Sequence, residues 1–433
     1  MSNKGMSAME KVVNKPYLSP PRLRFPAFNK PWANDPLSKV LTEHKLKNIN
    51  GRDVFSVSME SGIVNQVEHL GRSFAASDTS NYNLGRRFDV VYTKSPLKAF
   101  PFGIVKQCKF EGEVALSPLY GVFAPVNPHI GLLVEAYFES PVRSKTFLAP
   151  LCQKGAKNTI QITNTTFLSG RLPLPTEPKE QTAIANCLSS LDVLIELESQ
   201  RLEALEAYKH SFMRQIFPRS GETIPRLRFP MFRRDPEWIS ATLGEIAKVQ
   251  SGGTPARTNP AYWKGKIPWV TTSLIDSSTI LKADEYITKA GLEESSAKIF
   301  PKGTLLMAMY GQGKTRGKVA MLGIDAATNQ ACAAIILKRK GIATEFLFQN
   351  LASRYDEIRK ISNSGGQENL SAGLIEGISF SFPKNESEQI FIIKALSAVD
   401  ELISAQDHKV NTLRTHKAGL LQQLFPMFDG KQA

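Results

Sequence analysis

Three short stretches carry residue types at spacings that catalysis uses. The first is AMYGQGKT, Ala308 to Thr315, close to the glycine-rich loop that cradles nucleotide phosphates but with Ala in place of the first Gly. A true phosphate loop follows a buried parallel strand and opens a helix, so that backbone N–H groups and a lysine converge on phosphate oxygens. Here Thr315 is followed by Arg-Gly-Lys-Val-Ala-Met-Leu, a Gly-broken strand pattern, and no acidic magnesium partner is evident on a following strand. Lys and Arg in a Gly-rich loop suit DNA phosphates or base edges better. The second stretch is NPAY, Asn259 to Tyr262, one proline short of the NPPY with which amino-methylating enzymes hold a target amine, and no Gly-rich cofactor loop precedes it. The third set is the histidines, His44, His69, His129, His210, His408 and His416, which form neither HExxH nor a close pair with cysteine. Surface or capping roles are the default for them. No catalytic centre is visible.

The frame that must position any site is a repeat. Residues 175–218 and 383–426 superpose without a gap at a shift of 208, Glu180 on Glu388, Gln181 on Gln389, Asp192 on Asp400, Lys209 on Lys417, Gln215 on Gln423 and Phe217 on Phe425. Such internal self-similarity governs the reading of the rest. Apolar residues fall at Ile184, Leu188, Leu191, Ile195, Leu202, Leu205, Phe212 and Ile216, and in the second copy at Ile392, Leu396, Val399, Ile403, Val410, Leu413, Leu420 and Leu424. Steps of four and three give the 3.5-residue period of a coiled-coil seam. Both copies break that seam at the same places, Glu198 with Gln406 and Lys209 with Lys417. A polar seam residue costs stability but fixes register, so the matched breaks predict that the copies pair with each other. Each helix is about 57 Å long at ~1.5 Å per residue, the length of a spacer.

A second duplication leads into each block. PRLRFPAF at Pro21–Phe28 returns as PRLRFPMF at Pro225–Phe232, with a tryptophan after each, Trp32 and Trp238. Its place outside the blocks favours a structural plug over a nucleic-acid contact. The first block, about residues 29–172, reads as short strands in a curled sheet or partial barrel: FSVSMESGIV at 55–64, FDVVYTKSP at 88–96, GIVKQC at 103–108, YGVFAPV at 120–126 and NTIQITNTTFL at 158–168. GLLVEAYFESPVRSKTFL at 131–148 reads as one helix packed against them. The second block, about 239–380, repeats the plan with other side chains. TLLMAMYGQGKTRGKVAML at 304–322 matches 88–108 in layout, an apolar strand, a polar loop with Lys and a hydroxyl, then a Gly into a second strand. Low identity between blocks with well-matched helices describes one scaffold carrying two different reading heads.

The 433 residues are too many for one ordinary domain and 42% hydrophobic, so two or three cores are expected. The four cysteines, Cys108, Cys152, Cys187 and Cys332, have no CxxC spacing, which argues for a reducing compartment and against disulfides or zinc. No apolar run reaches the ~18 residues of a membrane span. Residues 1–20 have no apolar signal core and read as a disordered polar tail, and the chain reads as cytoplasmic. Formal charge is +14. Residues 29–172 hold 17 Lys and Arg against 11 Asp and Glu, and residues 233–380 hold 19 against 14, so most of the excess lies in the blocks and fits nucleic acid.

The chain resembles the DNA-specificity subunit of type I restriction–modification systems over nearly its whole length. The resemblance rests on the duplicated helices ending in QIFP and QLFP, the duplicated PRLRFP, WVTTSLID at 269–276, KGTLLMAMYGQGKTRGKVAM at 302–321 and GGQENLSAGLIEGISFSFP at 365–383. It implies an α+β fold: two α/β target-recognition domains with small β-rich sheets, separated by two long helices in an antiparallel coiled coil with an internal pseudo-two-fold repeat. The expected boundaries are a tail at 1–20, domain 1 at 21–174, spacer helix 1 at 175–218, linker and domain 2 at 219–382, spacer helix 2 at 383–426 and a tail at 427–433. Each domain would read half of a bipartite double-stranded DNA target. The helices would set the gap and dock two modification subunits, which bring S-adenosylmethionine and methylate adenine. Restriction subunits, with ATP and magnesium, would join that core and cut. The chain itself would bind no cofactor or metal and catalyse nothing. In that antiparallel arrangement Glu198 would not face Gln406, so the matched breaks would fix an offset.

Base and phosphate contacts are then expected from Arg86, Arg87, Lys94 and Ser95 in the first domain. In the second they are expected from Tyr310, Gln312, Lys314, Thr315 and Arg316, with Gln367 and Asn369 beside them. Two other readings stay open on sequence alone, a stand-alone phosphate-loop ATPase and a coiled-coil scaffold whose basic blocks bind protein or RNA.

Overall fold

The computed structural model describes residues 20–154, 160–219, 221–311, 315–361 and 369–426. The expected tails at 1–20 and 427–433 therefore lie, apart from Pro20, outside the described residues. The chain divides into two compact units, Met1–Glu198 with Lys409–Ala433, and Ser199–His408. Each unit holds one block, one half of the first long helix and the opposite half of the second.

In the first unit two four-stranded sheets form the block. One has the order Leu41–Glu43, Gly121–Pro125, Val90–Thr93, Ile104–Gln107, all antiparallel. The other has the order Gly62–Asn65, Val54–Ser58, Glu113–Leu116, Asn83–Arg86, with a parallel pair at its centre. Phe55, Val114 and Leu116 of one sheet pack with Val91, Cys108 and Val122 of the other. Alternation then sends Val90, Tyr92 and Phe123 the opposite way, among Leu133, Phe138, Phe167, Ile184 and Leu188 of the helices. Buried on both faces, this strand reads as the unbroken apolar run VVY rather than as an alternating pattern.

The second unit repeats this plan on an unrelated sequence. Its first sheet runs Ala247–Ser251, Cys332–Leu337, Leu305–Ala308, Val319–Leu322, extended by Thr279–Ile280. Its second sheet runs Glu285–Ile287, Trp263–Val270, Ala326–Thr328, Ile299–Phe300, again with a parallel pair at the centre. Leu306 and Ala308 face the second sheet while Leu305 and Met307 pack among Phe346, Leu351, Ile392 and Leu396, the same alternation as in the first unit. A two-stranded antiparallel pair closes each block, Ala33–Pro36 with Arg171–Leu174 and Ile239–Thr242 with Ser379–Phe382.

The long helices are Pro178–Ile216 and Glu386–Leu424, 39 residues each, with ends related by the same shift of 208. The seam residues Ile184, Leu188, Ile392, Leu396, Val399 and Val410 are buried, and Leu191, Ile195, Leu202, Leu205, Ile403 and Leu413 are half-buried. Within the first unit Lys417 meets Asp192 at 2.7 Å and Lys409 meets Glu198 at 2.6 Å, so one helix descends as the other rises. Within the second unit Lys209 meets Asp400 at 2.5 Å. Of the matched polar breaks, Glu198, Lys209 and Lys417 thus each engage a residue of the other helix that is not their counterpart in the repeat.

Two local expectations are corrected. The stretch 131–148 is two helices, Pro128–Phe138 and Pro141–Leu148. Pro141 lacks the N–H an uninterrupted helix needs, and Ser140 caps the new start by accepting from the Arg143 N–H. Of the described part of 158–168, Ile160–Gln161 is a strand, whereas Asn164–Ser169 is a helix. The Thr163 hydroxyl accepts from the Thr166 N–H at 3.1 Å, and Phe167 turns inward to stack on Tyr92 with ring centres 4.6 Å apart.

Candidate nucleic-acid interface

Each block carries a hairpin whose loop holds residues expected to touch DNA, two of the four in the first block and five of the seven in the second. In the first unit it joins Val90–Thr93 to Ile104–Gln107. Gly103 closes it at φ +94°, where a Cβ would lie 1.9 Å from the Thr93 carbonyl oxygen, so glycine alone fits. Lys94 leaves the strand half-buried, and that burial holds its ammonium below the usual lysine range, with the Glu43 carboxylate opposing. Ser95 is exposed, and its N–H donates to the Thr93 hydroxyl.

In the second unit the hairpin joins Leu305–Ala308 to Val319–Leu322, antiparallel. AMYGQGKT therefore bridges two antiparallel strands and does not open a helix, so its described part has no phosphate-loop geometry. Tyr310 is exposed at its start, and Thr315 and Arg316 are half-buried at its end. Arg316 Nη2 donates to the Arg359 carbonyl at 2.8 Å, and Arg359 Nη1 donates to the Tyr355 hydroxyl at 3.2 Å. The Leu370 N–H donates to the Met309 carbonyl at 3.0 Å, which brings half-buried Asn369 beside Tyr310. Tyr310, Thr315, Arg316 and Asn369 thus belong to one loop cluster, while Gln312, Lys314 and Gln367 lie outside the described residues.

Arg86 and Arg87 are placed differently. Both are exposed, Arg86 3.4 Å from Glu113 and Arg87 2.7 Å from Glu111 and over the Phe88 ring. They precede Val90–Thr93 whereas Lys94 and Ser95 follow it, so a strand of about 13 Å separates the pairs at ~3.3 Å per residue. The fold does not gather these four residues.

Two basic groups escaped the sequence reading. Arg52 also meets Glu113, at 3.1 Å, so one carboxylate holds two guanidinium groups. Arg257 pairs with Glu285 and lies over Trp263 at 3.9 Å and Trp269 at 4.9 Å. Their partners come from neighbouring strands, with Trp269 opposite Glu285 in register, and no local motif announces them. NPAY is a capped turn: the Asn259 side chain accepts from the Ala261 N–H, and the Tyr262 hydroxyl donates to Glu294. Among the described residues no three His, Cys, Asp or Glu side chains gather to hold a metal ion, and no helix is long and apolar enough to cross a membrane.

Comparison with known proteins decides what this duplicated scaffold is. The sequence family of the type I restriction modification DNA specificity domain matches residues 110–207 and 236–414, one segment reaching into each block and each long helix. The chain belongs to that family. Over 174 residues it is 28% identical to the EcoR124I/EcoR124II specificity subunit of Escherichia coli, covering 39% of this chain and 42% of that protein. Over 198 residues it is 27% identical to the MjaIX specificity subunit of Methanocaldococcus jannaschii, 45% of each. Each match spans under half of the relative's length. The specificity-domain chain also shares its fold with an S subunit of a type I restriction-modification system from M. genitalium, at TM-score 0.55 and 15% identity over 94% of this chain and all of that one. A second structure, from work on assembly and conformational transition of the type I R-M system, gives 0.56 at 13% identity, covering 92% and 98%.

Within this specificity-domain chain, the PRLRFP motif has a structural role in both units. Arg24 and Trp32 donate to Glu180 near the start of the first long helix, and Arg228 and Trp238 donate to Glu388 near the start of the second. The Leu23 N–H donates to the Gln423 carbonyl and the Leu227 N–H to the Gln215 carbonyl, so each motif ties the start of one helix to the end of the other.

Proposed function

We propose that this chain is the non-catalytic specificity subunit of a type I restriction–modification complex, each of its two blocks reading one half of a bipartite double-stranded DNA target. The observation that carries the reading is the family match in both halves of the chain, on a strand plan built twice with unlike loops. The hairpin loops offer Lys94 with Ser95, and Tyr310, Thr315 and Arg316 with Asn369, side chains that contact phosphates and base edges. Gln312 and Lys314 belong to the second hairpin loop in sequence, and Gln367 lies two residues before Asn369. Arg86 and Arg87, already paired with carboxylates, suit phosphate positioning more than base reading. Two modification subunits docked on the long helices would supply S-adenosylmethionine and methylate adenine, and restriction subunits would supply ATP- and magnesium-dependent cleavage.

The test is co-expression with the methyltransferase subunit of the same system, in a host free of adenine methylation, followed by methylome sequencing. One bipartite adenine motif is expected, and exchanging residues 239–380 for the block of another subunit changes one half of it only. An unmethylated genome despite an assembled complex would overturn the proposal.

A further inference from the structure

Six side chains of the first unit close a ring of alternating charge. Lys106 lies 3.2 Å from Glu135 and 3.3 Å from Glu139; Lys417 lies 2.8 Å from Glu139 and 2.7 Å from Asp192; Lys109 lies 3.6 Å from Asp192 and 3.8 Å from Glu135. Three ammonium groups and three carboxylates balance. The ring joins one sheet of the block to its helix and to both long helices: Lys106 on the sheet strand Ile104–Gln107 and Lys109 just beyond it, Glu135 and Glu139 on and after the helix Pro128–Phe138, Asp192 on the first long helix and Lys417 on the second. Lys106 and Glu135 are 6% and 4% exposed and Lys417 and Glu139 15% and 16%, so this side of the ring is set into the junction between block and helices, while Lys109, 57% exposed, closes it at the solvent edge.

The second unit keeps only the helical part. Lys209 and Asp400, the counterparts of Lys417 and Asp192 under the shift of 208, still pair, and Gln349 Nε2 donates to Asp400 at 3.5 Å. Aligning the paired strands Ile104–Gln107 and Val319–Leu322 puts Met321 where Lys106 stands and Ile324 where Lys109 stands, and both pack against apolar cores. One seam pair is thus common to both units, and the first block alone completes it into a ring.

We infer that Asp192 and Lys417 are positioning residues for DNA reading by the first block, holding it on its helix pair through this ring, while the second block is held by apolar packing and neutral amide hydrogen bonds from Gln349 and Gln389. The inference rests on the specificity-subunit reading. An ion ring has narrow geometry, because each buried charge is tolerated only while both neighbours face it. Opening it at Lys417 leaves Glu139 and Asp192 facing each other without their shared cation, and the block loses its fixed angle to the helices. None of the six residues lies in the hairpin loop that carries Lys94 and Ser95.

The experiment uses the assembled modification complex with wild-type chain, Lys417→Met and Lys417→Arg. Binding is measured on the full target and on targets altered in one half-site or the other, with thermal unfolding as the check on folding. Lys417→Met is expected to lower discrimination at the half-site read by the first block about fivefold or more and leave the other half unchanged, with Lys417→Arg restoring most of it. Should Lys417→Met fail to assemble, Asp192→Asn is read the same way. Equal losses at both half-sites, or no loss at either, would overturn the ring's role. Wild-type complex that binds no sequence selectively would instead overturn the reading beneath it.

Discussion

Arg24 grips Glu180 through both carboxylate oxygens, Nε to Oε1 at 2.7 Å and Nη2 to Oε2 at 2.8 Å, with the carboxylate side chain fully buried. Arg228 holds Glu388 the same way at 2.7 Å for both contacts. In sequence the glutamate pair reads as one more matched position of a long helix. It is the socket into which the preceding motif plugs. Arg24→Ala strands a buried carboxylate and is expected to destabilise the first unit by about 3 kcal/mol, seen as a lower denaturation midpoint. Arg24→Lys should recover little, because a point charge cannot make the two-pronged contact. Full stability in either variant would remove the plug.

The loop at 309–318 gives a prediction about binding without assembly. Lys314→Ala with Arg316→Ala is expected to weaken DNA binding by the assembled complex and to reduce the salt dependence by about one or two ions, one for each phosphate the loop no longer touches. Size-exclusion chromatography should show the subunits still associated. Unchanged affinity in a titration at fixed salt counts against this loop.

Two members of the ionic ring, Glu139 and Lys417, give the first unit a pH dependence. Burial alone would raise the Glu139 carboxyl, but Lys106 and Lys417 outweigh it and hold the group below its ordinary range. Burial alone would lower the Lys417 ammonium, but Glu139 and Asp192 outweigh it and hold that group above its ordinary range. A depressed carboxyl contributes stability above its unfolded value that is lost as pH falls through the folded one. A raised ammonium contributes stability below its unfolded value that is lost as pH rises through the folded one. Stability from these two groups is therefore flat across neutral pH, falls on the acid side below the usual glutamate range and falls again on the alkaline side above the usual lysine range. Denaturant titrations across pH should show Glu139→Gln with a shallower acid limb than wild type. Identical limbs would contradict the coupling.

Under the proposed reading the helices also set the unread gap in the target. One heptad added to both helices lengthens each by about 10 Å, roughly three base pairs at 3.4 Å. Methylome sequencing is expected to show a longer gap between unchanged half-sites. A heptad added to one helix alone displaces partners such as Lys417 and Asp192 or Lys209 and Asp400 and should cost assembly. Altered half-site bases in the doubly extended chain would sink the spacer idea.

What the sequence determined by itself was everything carried by local periodicity and self-comparison. The shift of 208 follows from self-comparison, and the seam from Ile184 to Leu424, the hairpins around Lys94 and Lys314 and the lack of a phosphate-loop helix after Thr315 follow from residue types a few positions apart. Hydrophobic spacing is a local consequence of helix and strand geometry, so it survives without coordinates. Partner choice does not. That Lys417 meets Asp192 and Lys209 meets Asp400, that Arg24 reaches Glu180, that Arg87 and Lys94 stand at opposite ends of a strand, and that Lys106 completes a ring depend on segments up to several hundred residues apart in sequence. A charge carries no mark of its partner, because any oppositely charged residue satisfies it and only the packed backbone decides which one arrives. The same holds for the two blocks. Their side chains diverged beyond recognition while their strand order stayed common, since the fold requires buried positions at particular places in the sheets and leaves the exposed loops between them to vary.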